Sequence, residues 1–183
     1  MTATKDSVLL YTTHEALLPE VPSLVDQLNQ PNRQFTQPYN LPDVIQPAPF
    51  PDEDQIGASL DILNEKHRSW IARNDLDVNM APNASLFIVA DEDTLDNRTV
   101  QVVYLGSDVE NDEKGYDVLR SPISVAVQVF TTIDGGQHGW DEFLYQAQAN
   151  GGVIPSSGSE APPAASEEES PRTRKTLPTK SRD

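Results

Sequence analysis

Residues 86–105 read LFIVADEDTLDNRTVQVVYL, and this stretch decides the fold class. Leu86-Phe87-Ile88-Val89-Ala90 is short, continuous and apolar, as a central strand would be. Val100-Gln101-Val102-Val103-Tyr104-Leu105 is a second such run. The residues between them, Asp91 to Thr99, carry turn chemistry and predict a hairpin with a long loop.

Upstream, Val8-Leu9-Leu10-Tyr11-Thr12 reads as another buried strand. Val21, Leu24, Val25 and Leu28 recur at helical spacing after Pro22, predicting a two-turn helix. Six prolines then fall between Pro31 and Pro51, each removing an amide donor and restricting the residue before it. No regular helix or inner strand is expected there. Because the segment keeps Phe35, Tyr39, Leu41, Val44, Ile45 and Phe50, it reads as an ordered crossing laying apolar side chains on the domain. Asp52 and Gln55 have capping-box spacing, and Ile56, Leu60, Leu63, His67 and Trp70 form one apolar stripe. They predict a helix of about 20 residues ending near Asn74.

Downstream, Ile123, Val125, Val127, Val129, Thr131 and Ile133 alternate with Ser124, Ala126, Gln128, Phe130 and Thr132. That period of two predicts a long strand, with a helical turn after Pro122 as the alternative for its first half. Trp140, Phe143, Leu144 and Ala147 predict a closing helix, stopped by Asn150-Gly151-Gly152. The expected fold is α+β (mixed α/β). It has one mixed sheet of about four or five strands and two or three packed helices. A crossover would set the first strand parallel to 86–90. Residues 1–154 form the expected domain.

The chain has 183 residues and a formal net charge of −16. From Pro155 onward only Leu177 is large and apolar, and five acids cancel five bases. Residues 155–183 therefore read as a disordered polyampholyte tail, and the whole charge excess belongs to 1–154. Ser170-Pro171 beside Arg172-Thr173-Arg174-Lys175 is open to reading as a phosphorylation site or nuclear-import signal, or as a solubilising extension. The absence of cysteine excludes disulfides, thiolate metal sites and a cysteine nucleophile. The charge argues against nucleic-acid partners, and no apolar run approaches the roughly 20 residues that span a bilayer. Met1 to Asp6 lacks the order of a secretory signal, so a cytoplasmic protein is expected, or a nuclear one through the basic tail.

Motifs for chemistry are sparse. His14, His67 and His138 show no ligand spacing; His67 on the apolar stripe reads as a satisfied core histidine, and His138 as a loop residue. Gly106-Ser107-Asp108 lacks a nucleophile turn, and Gly135-Gly136-Gln137-His138-Gly139 matches no phosphate-binding motif. Asp108-Val109-Glu110-Asn111-Asp112-Glu113 places acids like a calcium loop, but Glu113 replaces the turn glycine and Leu119 the closing glutamate. Asp91, Glu92, Asp93 and Asp96 form a second acidic cluster. No catalytic residue, metal site or cofactor is expected from these patterns.

The stretch Phe87 to Leu95, then Thr99-Val100 and Val102 to Leu105, resembles the centre of an uncharacterised family of bacteria and fungi, domain of unknown function 6924. A W/F-containing helix, here Trp140 to Leu144, completes the resemblance, which spans residues 85–154 at most. It implies a fold neighbourhood and no mechanism.

The residues point to two functions. One is a non-catalytic module that engages a basic protein through Asp91, Glu92, Asp93, Asp96, Asp108, Glu110, Asp112 and Glu113. The alternative is a metal- or carboxylate-dependent hydrolase built on one of the same two clusters.

Overall fold

The computed structural model describes residues 7–76, 82–105, 115–134 and 139–156. One sheet of five strands lies at its centre: β1 (Val8–Thr12), β2 (Ile45–Pro47), β3 (Leu86–Ala90), β4 (Thr99–Tyr104) and β5 (Asp117–Pro122). Their order is β2-β1-β3-β4-β5. β1 is parallel to β2 and β3, and β4 and β5 continue antiparallel, so the sheet is mixed as the sequence suggests.

Alternation along the strands divides the core into two layers. Val8 and Leu10 of β1, Leu86 and Ile88 of β3, and Val100 and Val102 of β4 face one side. There they meet α1 (Val21–Thr36), α5 (Ile123–Asp134) and α6 (Trp140–Ala149). Leu9, Tyr11, Phe87, Val89 and Val103 face the other side, under α2 (Leu60–Arg73) and the single turn α3 (Pro82–Ser85). Runs of apolar residues with no polar face are what a sheet covered on both sides requires.

Four expectations need correction. Residues 123–133 are neither a strand nor a turn plus a strand, because α5 occupies all of them. Ile123, Ala126, Val127 and Phe130 are buried at helical intervals while Ser124 and Gln128 face out. A segment apolar on most of its circumference satisfies both periods, and packing against α1 selects the helical one. The strand in this region is β5, just upstream.

α1 also runs well beyond two turns, with Pro31 inside it. The proline removes one amide donor. The second half of the helix is held by Arg33, whose Nε and Nη2 fork onto Asp43 at 3.0 and 2.7 Å while Nη1 reaches Asp26 at 2.5 Å. Phe35, Tyr39 and Leu41 stand 65%, 76% and 57% exposed, so of the six apolar residues expected to pack only Val44, Ile45 and Phe50 do, joined by Ala48.

The helix expected from Asp52 starts later. Asp52–Asp54 form an isolated 3-10 turn, Gly57 turns the chain at φ +70°, and the Ser59 hydroxyl caps α2 by accepting from Ile62 N at 3.4 Å. Gln55 is buried and bridges instead: its Oε1 accepts from Thr12 N at 3.2 Å and its Nε2 donates to Phe50 O at 2.9 Å. Finally, the loop of the β3–β4 hairpin contains a helix, α4 (Glu92–Asn97).

The short edge strand β2 is closed by a side chain. Buried Asn29 accepts from Ile45 N and donates to Ile45 O, both at 2.9 Å, and so occupies the groups a further strand would use. Pro47, the next residue in the same orientation, has no amide to offer.

Candidate functional site

The three parallel strands end on one edge of the sheet, and an acidic segment succeeds each of them. After β1 comes the 3-10 turn Glu15–Glu20, after β2 the turn Asp52–Asp54, and after β3 the segment Asp91 to Asp96. The ends converge through the backbone. Thr13 N donates to Ala90 O at 2.9 Å, and Gly57 N donates to Thr13 O at 2.8 Å. The connection leaving β1 covers one face through α1 and the one leaving β2 covers the other through α2, so the winding reverses between β1 and β3, the place where open α/β sheets bind ligands.

Asp91 is the acid of this edge with the most hydrogen bonds among the described residues. It precedes α4 and forms a reciprocal cap, its carboxylate taking the Thr94 amide while its own amide donates to Thr94 Oγ1 at 3.1 Å. Thr94, fully buried, donates its hydroxyl to Thr99 O at 2.7 Å and ties α4 to β4. From β5, Arg120 donates with Nη1 to Oδ1 at 3.2 Å and with Nη2 to Oδ2 at 2.5 Å. Gln101, the cross-strand partner of Arg120, adds a bond to Oδ2 at 2.5 Å. Burial opposes ionisation of Asp91, but the Arg120 and Gln101 bonds and the arginine's charge outweigh it and hold the carboxyl below its usual range.

The rest of the cluster spreads outward. Asp93 reaches Arg120 Nη2 at 2.7 Å, whereas Glu92 and Asp96 point to solvent and make no ion pair with a described residue. Glu92 and Asp93 also lie in the first turn of α4, where the helix dipole favours them. A cavity of about 550 Å³ opens beside this edge between α1, the α4–β4 turn and the start of α5. Its lining holds one carboxylate, Asp26, already engaged by Arg33.

The structure thus brings Asp91, Glu92, Asp93 and Asp96 together at one short helix. Asp108, Glu110, Asp112 and Glu113 lie outside the described residues, as do His138 and the glycine-rich loop from 135. No group of three or more His, Asp or Glu among the described residues is placed to hold a metal ion. His67 is a core residue: its Nε2 donates to Ala84 O at 3.1 Å, its Nδ1 accepts from Tyr11 Oη at 3.3 Å, and burial lowers its pKa to about 4.

Sequence reasoning missed Arg120, Gln101 and Thr94. For Gln101 the signal is a polar residue between Val100 and Val102 on a strand, for Thr94 it is the capping-box spacing from Asp91, and for Arg120 it is readable only once β5 is recognised. His14, for which the sequence shows only the lack of ligand spacing, lies two residues past β1, and its Nδ1 is buried without a hydrogen-bond partner among the described residues. No described helix is long and apolar enough to cross a membrane. No protein-family model matches this chain, and no curated protein matches it.

Proposed function

We propose that the domain is a non-catalytic binding module that receives a basic protein segment along the acidic edge at the ends of its parallel strands. The observation that carries this reading is the placement of Glu15, Glu20, Asp52, Glu53, Glu92 and Asp96. These are exposed acids on three different segments that the topology delivers to one edge. Spread over turns and a helix, they suit charge complementarity with an extended surface. Asp91 supports the same reading over carboxylate-dependent hydrolysis. An acid held ionised by an arginine fork is neither a proton donor near neutral pH nor an open metal ligand. Kinship with the family of domain of unknown function 6924 belongs to this proposal and adds no chemistry to it.

The test is affinity capture at low salt with the full chain and with a Glu53→Gln/Glu92→Gln/Asp96→Asn variant. Basic proteins that bind the first, elute with salt and escape the second bear the reading out. Equal capture by both chains contradicts it.

A further inference from the structure

A second feature lies between the segment after β2 and the outer face of α2. Pro49 and Pro51 restrain the backbone on either side of Phe50, whose ring stacks on Tyr11 with centroids 5.9 Å apart and planes 20° apart. From α2, Lys66 Nζ lies 5.7 Å and Arg73 Cζ 5.6 Å from the Phe50 centroid. Residues 62, 66, 69 and 73 share one stripe of the helix, which brings Ile62, 47% exposed, to the same wall. Together they line an open cleft of about 570 Å³, within the roughly 300–1,000 Å³ typical of small-molecule sites.

The charges are unusual for this molecule. Two of the six lysines and arginines among the described residues meet at this one ring. Lys66 is partly engaged, with Asp54 at 3.5 Å. Arg73 donates through Nε to Ser69 O at 3.2 Å, and its guanidinium has no carboxylate of a described residue within ion-pair distance. An arginine left without a carboxylate in so acidic a chain presents a planar donor fork matched to a carboxylate. Asp54 and Glu65 also line the cavity and balance the two cations in number, which opposes a polyanion, while Arg73, in no ion pair with a described residue, can take a single carboxylate.

From this geometry we infer that the cavity binds a small monocarboxylate with a flat apolar body. The carboxylate lies on the Arg73 fork with Lys66 beside it, and the body lies against Phe50, the flanking prolines and Ile62. The turn Asp52–Asp54 borders both this cavity and the acidic edge, but the cations and the ring that form the site, Lys66, Arg73 and Phe50, are not part of that edge, and the inference does not depend on that edge binding anything.

The full chain, isotopically labelled, is titrated with 2-naphthoate and with its uncharged analogue 2-naphthamide while amide resonances are followed. Saturable shifts centred on Phe50, Ile62, Ser69 and Arg73 are expected, with naphthoate binding roughly tenfold tighter than naphthamide, as one charged hydrogen-bond pair requires. Arg73→Gln, an exposed change whose folding is checked by its thermal midpoint, is expected to weaken naphthoate about tenfold and leave naphthamide unchanged. Lys66→Met serves as a second variant, with a smaller loss for naphthoate alone. Shifts that do not saturate or centre elsewhere, equal affinity for acid and amide, or undiminished naphthoate binding by Arg73→Gln would overturn the inference.

Discussion

At the residue scale, the fold depends on polar side chains that satisfy backbone or charge at specific places. Asn29 is the clearest. Replacing it with Ala strands the outward amide and carbonyl of Ile45, and a loss of about 2 kcal/mol in urea unfolding is expected. His67 gives a pH signature. Its pKa falls from 6.5 to about 4 on folding, so the unfolded chain binds the extra proton between those values. The contribution is complete above about pH 6.5 and is lost as pH falls toward 4, amounting to about 3 kcal/mol. The slope of stability against pH in that window should flatten in His67→Gln; an unchanged slope would show that other groups produce it. Asp91 acts at lower pH, since its stabilisation is present above the ordinary carboxylate range and disappears as pH falls through its depressed value.

At the scale of elements, α5 is where structure and sequence part most clearly. The two readings of 123–134 differ at Phe130, which the strand pattern turns outward and the helix buries. Phe130→Ala is therefore expected to cost about 3–4 kcal/mol by chemical denaturation, where an outward residue would cost little. Burial on both faces made β1, β3 and β4 legible. They are runs such as Leu86 to Ala90 that no other element of that length explains. The glycines at 151 and 152 stop α6 where expected, with Gly152 N donating to Ala147 O at 2.7 Å. β5 was hidden because Arg120 interrupts its pattern, and the arginine's reason for being there is Asp91, 29 residues away. The same distance hid half of the candidate site: the acids were visible as a cluster, but the cation and amide that fix Asp91 were not. Pro31 misled in the other direction, since a missing amide is a local cost and the Arg33 fork to Asp43 that offsets it is tertiary.

At the scale of the whole molecule, the chain carries a net charge of −16, and the segments that follow its three parallel strands all deliver acids to one edge of the sheet. Most of these acids carry no compensating base among the described residues, and mutual repulsion at one edge is a standing cost that a basic partner would relieve. Asp54 beside Lys66 is one exception, and the Arg120 pairs with Asp91 and Asp93 are another, which keeps α4 in place. Arg120→Met is expected to lower stability by about 1–2 kcal/mol and to loosen α4, read as faster amide exchange at Thr94. The most direct measurement is the salt dependence of affinity for a basic protein recovered by capture, made on the wild-type chain and on the Glu53→Gln/Glu92→Gln/Asp96→Asn variant. Wild-type affinity is expected to fall at least about tenfold between roughly 50 and 300 mM salt, with the variant weaker and less sensitive to salt. An affinity indifferent to salt, or shared equally by the variant, would contradict a charge-steered binding edge.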